Sequence, residues 1–577
     1  QFPIDLSAAG RPRGMDNAGP TDRRWRPNLS TESMILLASF AFAAAYNGAL
    51  WQLLFGAADL TEPRTIALFT GLFIAVVGIQ FAGLALLVTR RTVRAVLAVL
   101  FLCTALASFF EDRYTVFLNT EMLRNILKTD PAEAGELLSL QLVPHLLLYA
   151  VLPVALLIWT RVRARPRGRA ILARSGAMAA ALAITVAVLA VQYRDVASLV
   201  RGHRDARHLI TPANYLTSLF KISRDAVAAP PGERQPIGLD AHRVVRVAAG
   251  RKPTLLVLAI GETVRSANFG LSGYARQTTP ELSRLDLLVY PRVQACGTST
   301  EVSVPCMFAP VGRRDYDEDR IRNQQSLLHV VQRAGIDVMW IENQSGCKGV
   351  CEGLPQERMG GNFDSALCDG ERCLDGIMLN RLAAALEASK GDLVVVLHML
   401  GNHGPAYSRR YPAEFRKFVP TCDRAELTDC STEEIVNAYD NALLYTDHVL
   451  AGIIRFLEAQ TDRNAGLIYV SDHGESLGEA GMYLHGLPYR VAPATQREVP
   501  MVTWLSAGLE ESAGLDGGCL REGTRSDVSH DHLFHSVLGL MAVETTVREP
   551  ALDLFSQCRK NAAGPLMAHE PPRPVAS

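Results

Sequence analysis

Five apolar runs follow one another within roughly the first 200 residues of a 577-residue chain, at about 33–55, 66–88, 93–110, 141–160 and 171–192. Each approaches the roughly 20 residues that a bilayer core requires of a helix. The third is short, and the first carries Tyr46 and Asn47. Helices buried in a soluble core would show amphipathic periodicity, which these runs lack. The spans that follow also argue against reading the first as a cleaved leader.

Arginines orient the spans. "RRWR" (23–26) precedes the first, "RRTVR" (90–94) joins the second to the third, and "RVRARPRGR" (161–169) joins the fourth to the fifth. The alternate loops, "DLTEPR" (59–64) and the acidic stretch from Glu111 to Glu136, carry few basic residues. The positive-inside rule then puts the N-terminus in the cytoplasm and everything after the fifth span outside, which in a double-membraned bacterium is the periplasm.

The cysteines agree. Cys103 lies in the third span, and the other ten of the eleven follow residue 290. Close pairs are Cys296 with Cys306, Cys347 with Cys351, Cys368 with Cys373, and Cys422 with Cys430, which leaves Cys519 and Cys558 over. In an exported domain these read as five disulfides. Short loops gain little stability from closure, so the bridges are expected to stiffen functional loops. A net charge of −1 and a pI near 7.0 give no support for a nucleic-acid partner.

The expected organisation is a cytoplasmic tail (1–32, with 1–14 ahead of Met15 set aside), a five-helix membrane domain (33–192), a connector (193–250), a catalytic domain (251–560) and a C-terminal tail (561–577). Within the connector, "ANYLTSLFKIS" (213–223) has an apolar side of Tyr215, Leu216, Leu219, Phe220 and Ile222. That side suits either the membrane surface or packing on the protein itself. "VAAPPGERQPIG" (227–238) reads as a linker.

Beyond Lys252, apolar runs at 254–260, 336–342, 392–399, 466–472 and 499–505 alternate with helical patterns, including 376–389 and 434–460. This predicts an α/β domain with a mostly parallel sheet covered on both faces. Ligands collect at the carboxyl ends of such strands. Glu262, His403 and the Asp472-His473 pair of "SDHGES" all fall there. Carboxylate and imidazole donors suit zinc, and three protein ligands leave a position for an activated nucleophile. "CGTSTEVSVPC" (296–306) offers Thr298, Ser299, Thr300 and Ser303, among which spacing does not choose.

The motifs "VLAIGETVRSANFGLSGYARQTTPEL", "CGTSTEVSVPCMF", "SGCKGVC", "GNHGPAY", "SDHGESLGE" and "YLHGLPY" resemble those of the lipid A phosphoethanolamine transferases. That family includes the mobile colistin-resistance enzymes and belongs to the alkaline phosphatase–sulfatase superfamily. "MLRNILKTDPAEAGELLS" (122–139) resembles the family's large loop between the third and fourth spans.

The resemblance implies that Thr300 is the nucleophile, that Glu262, Thr300, Asp472 and His473 hold a catalytic zinc, and that His403 and His485 bind a second zinc or the substrate phosphate. It further implies substrate contacts at Ser345 and Lys348, and at Asn125, Thr129 and Glu133, whose i, i+4 spacing would share one helical face. Glu301 stands where the family often has a small residue, and it either alters acceptor preference or points to solvent. His398, His448, His530, His532 and His535 are expected to be core or surface residues. The expected reaction moves phosphoethanolamine from phosphatidylethanolamine to a phosphate of lipid A, or alternatively to another envelope glycan hydroxyl, through a threonine-linked intermediate, in a monomeric inner-membrane enzyme. A water-using sulfatase and a phosphoglycerol transferase are the rival enzymes. No C/S-x-P-x-R nucleophile motif supports the first.

Overall fold

In the computed structural model the described residues are 26–56, 58–59, 61–129, 131–228, 234–244, 251–360, 363–370, 372–424 and 426–560. Most of the predicted tails and part of the linker lie outside them. The membrane region contains α1 (Thr31–Ala45), α2 (Gly48–Phe55), α3 (Pro63–Leu87) and α4 (Val93–Tyr114). The short α5 (Thr120–Lys128) and α6 (Pro131–Glu136) precede the spanning α7 (Leu142–Trp159) and α8 (Arg167–Val191).

Four of these helices are long and apolar enough to cross a bilayer alone. The run at 33–55, expected as one span, is instead the pair α1 and α2, bent by 53°. Asn47 is the cause. Its Nδ2–H donates to the carbonyls of Phe42 (2.7 Å) and Thr211 (2.8 Å), and its Oδ1 accepts from Thr211 N–H at 2.9 Å. The Thr211 carbonyl also accepts from Gln80 Nε2 at 3.0 Å. Glu111 accepts from the Thr211 hydroxyl (2.7 Å) and from Asn214 Nδ2 (2.6 Å). These five polar residues are all buried, and their mutual bonds satisfy groups that would be costly to leave unpaired there.

The connector helix α9 (Ala213–Ala228) divides its apolar side between the two expected roles. Tyr215 and Leu216 pack on the helical bundle, and the Tyr215 hydroxyl lies 3.0 Å from that of Thr104. Leu219 and Phe220 remain 44% and 71% exposed.

The second part is built on an eight-stranded sheet. Its strands are β1 (Thr254–Gly261), β2 (Leu288–Gln294), β3 (Asp337–Glu342), β4 (Gln356–Arg358), β5 (Leu393–His398), β6 (Asn464–Ser471), β7 (Glu498–Leu505) and β8 (Val528–Ser529). They lie in the order β8-β2-β7-β6-β1-β5-β3-β4. The sheet is mostly parallel, and β7 runs antiparallel to both its neighbours.

Side-chain alternation explains why β1 is apolar throughout: Leu256, Leu258 and Ile260 enter one core, and Leu255, Val257 and Ala259 the other. Helices α10 (Thr300–Met307), α11 (Ile377–Ala388) and α12 (Thr432–Glu458) belong to this domain. A capping box at Ser431 and Glu434 opens α12.

All five expected disulfides form. Cys296 bonds to Cys306, and Cys347 bonds to Cys351. Cys368 bonds to Cys373 in the segment leading to α11, and Cys422 bonds to Cys430 just ahead of α12. The two cysteines left over in the sequence, Cys519 and Cys558, bond to each other. Only the first two bridges lie in segments expected to carry chemistry. Those of Cys373 and Cys430 close loops that lead into helices, so the expectation that every bridge stiffens a functional loop is too broad.

Candidate active site

Two neighbouring strand ends converge as the parallel topology requires. Glu262 leaves β1, Asp472 and His473 leave β6, and all three are fully buried. The backbone N–H groups of Thr263 (3.2 Å) and His473 (2.7 Å) donate to Asp472 Oδ1. Its other oxygen, Oδ2, has no partner and lies 3.4 Å from His473 Nε2. Glu262 Oε1 is likewise buried without a partner, also 3.4 Å from His473 Nε2. His473 Nδ1–H donates to the Gly474 carbonyl (2.9 Å), which turns Nε2 toward the two carboxylates.

Two orphaned carboxylate oxygens converging on one imidazole nitrogen are costly as they stand and fit a divalent cation. The pKa directions follow from this crowding. Burial opposes charge on His473, but Asp472 and Glu262 prevail and raise its pKa to about 10. Burial, aided by the Glu262 carboxylate, pushes Asp472 up to about 6.

Thr300 begins α10, so its hydroxyl lies at a helix N-terminus, which favours developing negative charge. Its Oγ1 donates to Glu262 Oε2 at 3.0 Å and stands 3.4 Å from His473 Nε2. Of the other loop hydroxyls, Thr298 donates to the Leu487 carbonyl (2.6 Å) and Ser303 to that of Asp472, whereas Ser299 precedes the helix without a side-chain capping bond. The Cys296–Cys306 bridge ties the start of this loop to α10.

His403 and His485 stand beside this cluster. The His485 ring centroid lies 4.4 Å from that of His473 and 6.1 Å from that of His403. Glu262, His473 and His485 bring three ligand atoms within 4.8 Å of one another. Gly401 lets the His403 loop approach. Its φ is +51°, and a Cβ there would lie 2.7 Å from the Glu262 carbonyl oxygen. Asp375 holds the same loop by accepting from the N–H groups of Leu400 and Gly401, both at 2.8 Å.

Sequence reasoning missed Glu475, although it lies in the quoted "SDHGES". It accepts from His485 Nδ1–H and from the Tyr407 hydroxyl, each at 2.9 Å, which leaves His485 Nε2 for the site. Arg410 and His530 were also missed as supports, and neither lies in a motif with a local signal. His398 is a core residue, as expected, paired with Glu342 at 2.9 Å.

His530 Nδ1 accepts from Cys296 N–H (3.1 Å), and its Nε2–H donates to the Ser471 carbonyl (2.9 Å), bracing the nucleophile loop against β6. Burial depresses its pKa to about 3. An unfolded histidine titrates near 6.5, so below that pH only the unfolded state takes the proton. Stability present at neutral pH is therefore lost as pH falls from about 6.5 toward 3, at up to about 1.4 kcal/mol per pH unit. His530→Gln should remove one proton's worth of this slope, measured by thermal melts between about pH 4.5 and 7.

Ser345 and Lys348 meet beside the Cys347–Cys351 bridge, Lys348 Nζ donating to Ser345 Oγ at 2.6 Å. Two expectations fail here. Asn125, Thr129 and Glu133 do not share one helical face, because α5 ends at Lys128 and a second helix starts at Pro131. Proline lacks the N–H needed to continue a helix and pushes the preceding residue out of helical geometry. Thr129 instead caps α5, its hydroxyl donating to the Asn125 carbonyl at 2.9 Å, and the Glu133 side chain lies outside the described residues. Nor does Glu301 point to solvent. It is fully buried, paired with Lys128 (2.6 Å) and Arg322 (2.9 Å).

Family models match both parts: a phosphoethanolamine transferase EptA/EptB model over residues 76–227 and a sulfatase model over residues 254–543. The EptA phosphoethanolamine transferase of Salmonella typhimurium is 37% identical over 540 residues, covering 93% of this chain and 98% of its own. The chain belongs to the phosphoethanolamine transferase family. Its relative Mcr-1 of Escherichia coli, a phosphatidylethanolamine transferase, is 35% identical over 449 residues, covering 75% of this chain and 83% of its own. The solved integral-membrane lipooligosaccharide phosphoethanolamine transferase A of Neisseria meningitidis superposes with a TM-score of 0.88 at 34% identity, over 92% of this chain and 100% of that one. This phosphoethanolamine transferase thus shares both the helical membrane region and the sulfatase-type domain.

Proposed function

We propose that this transferase sits in the bacterial inner membrane with its catalytic domain in the periplasm. As a monomer, it moves phosphoethanolamine from phosphatidylethanolamine to a phosphate of lipid A. One observation carries the reading: a buried threonine hydroxyl at a helix N-terminus, 3.0 Å from Glu262 and 3.4 Å from His473, beside two carboxylate oxygens without partners. Glu262, Thr300, Asp472 and His473 would hold a zinc ion, which when bound supplies positive charge that favours the ionised threonine and offsets charge on the transferring phosphoryl group.

Thr300 Oγ1, passing its proton to Glu262 Oε2, attacks the phosphorus of the donor, and the bond to the diacylglycerol oxygen breaks. His485, its other nitrogen held by Glu475, is assigned the proton that the leaving oxygen takes. In the second step an oxygen of a lipid A phosphate monoanion attacks the same phosphorus and gives its proton to His485. The Thr300 ester bond breaks as Thr300 Oγ1 takes its proton back from Glu262. His403 and Lys348 lend positive charge to the phosphoryl oxygens in both steps. Both substrates are lipids, which accounts for a membrane region fused to the chemistry. Relatives named as Kdo(2)-lipid A phosphoethanolamine 7''-transferases support an acceptor that contains lipid A.

Added ethanolamine cations lower the negative charge of the outer surface and weaken binding of cationic peptides such as polymyxins. Expression in a polymyxin-sensitive host should raise lipid A mass by phosphoethanolamine units and lower polymyxin sensitivity. Unchanged lipid A in cells carrying folded, membrane-inserted protein overturns the acceptor assignment.

A further inference from the structure

The segment joining the third and fourth spans is tied into the catalytic domain at several places, Arg124 pairing with Glu318 and Gln141 with Asp429 among them. Met122 of α5 packs against Gly486, beside His485, and fills the space a Cβ there would need. Lys128 donates to Glu301, the residue after Thr300, at 2.6 Å. At the end of α6, Glu136 pairs with Arg410, and these side chains are only 4% and 1% exposed. One guanidinium nitrogen of Arg410 donates to Glu136 Oε1 at 3.2 Å and the other to Oε2. Arg372 adds a second cation 3.5 Å from Oε1. The remaining donor, Arg410 Nε–H, reaches the His403 carbonyl at 2.6 Å.

A guanidinium removed from water is strongly destabilising unless a carboxylate matches it. The nearby Asp375 of its own domain already accepts from Leu400, Gly401 and Asn343. Arg410 draws its carboxylate from the membrane region instead. Its planar fork then spans two partners that belong to different parts of the chain, Glu136 on one edge and the His403 backbone on the other.

We propose that Glu136 and Arg410 are positioning residues for transfer: their ion pair carries the seating of segment 120–136 through to the His403 backbone, so that this histidine is set only when the membrane region and catalytic domain are docked. The inference rests on reading His403 as part of the transfer site.

The test uses the full chain in phosphatidylethanolamine-containing nanodiscs. Glu136→Gln keeps the shape and an acceptor oxygen but loses the charge. It should lower kcat about tenfold, with donor KM within about twofold, because displacing a catalytic group without removing it affects the chemical step first. Zinc content should match wild type, the melting temperature should fall because Arg410 loses its matching carboxylate, and amide exchange over residues 400–410 should accelerate. The double variant Glu136→Gln/Arg410→Met should be no slower than the slower of the two single variants, as expected of one coupled unit.

With rates read below the variant's melting transition, a Glu136→Gln rate within about twofold of wild type, multiplying single effects, or a loss that tracks lost zinc each overturns the proposal. Where Glu136→Gln does not accumulate, Glu136→Asp, which shortens the reach by one methylene, is judged by the same criteria. Failure of the proposed function looks different, since wild type itself would then transfer nothing while the exchange measurement still reads the coupling.

Discussion

Thr300→Ala should lower phosphoethanolamine transfer by about a thousandfold or more, on the scale seen when a covalent nucleophile is deleted. The variant should still bind its metal, because Glu262, Asp472 and His473 are untouched and only one oxygen leaves the cluster. Mass spectrometry of intact protein after incubation with phosphatidylethanolamine should find the phosphoethanolamine adduct on wild type and none on Thr300→Ala. Thr300→Ser should stay active, within about tenfold of wild type. It retains the hydroxyl but loses the methyl group that restricts the χ1 rotamer. A Thr300→Ala protein that still transfers at more than a few per cent of wild type would assign the nucleophile elsewhere. Thr298 and Ser303 would then have to abandon their carbonyl partners.

Asp472→Asn, or exhaustive chelation of wild type, should abolish transfer by a similar factor of about a thousand. Asn presents a neutral amide where one of the two unpartnered carboxylate oxygens now points at His473. The cluster then holds only one negative charge to offset a divalent ion. Ligand binding to the native state alone stabilises it by RT ln(1 + [L]/Kd), about 4 kcal/mol at a thousandfold excess over Kd. Returning zinc to stripped wild type should therefore raise its melting temperature, whereas Asp472→Asn should barely respond. An unaltered response in Asp472→Asn, with one zinc still bound per chain, would remove Asp472 from the ligand set.

Local signals made much of this molecule readable in the sequence. The spans and the buried strands announce themselves through runs of apolar residues, and the topology of a parallel sheet then gathers Glu262, Asp472 and His473 at one edge. Strand β2, by contrast, was invisible. In "LVYPRVQ" burial is mixed and Pro291 interrupts the run, because this strand lies toward one edge of the sheet. The helical face drawn through residues 125, 129 and 133 ignored Pro131, which starts a second helix after the first ends at Lys128. Glu301 and Arg410 could not have been read at all. Their partners in the membrane region lie 173 and 274 positions away, and no periodicity links residues at such distances.

The bend in the first span bears on how the catalytic domain can move. Asn47, Gln80, Glu111, Thr211 and Asn214 come from widely separated stretches and are laced into one set of hydrogen bonds at the root of the connector. Slackening any thread of that lacing would strand buried donors or a carboxylate, so the chain is anchored there against swivelling. Any rearrangement of the catalytic domain against the bundle would therefore have to arise beyond this anchor, and it would have to part Glu136 from Arg410.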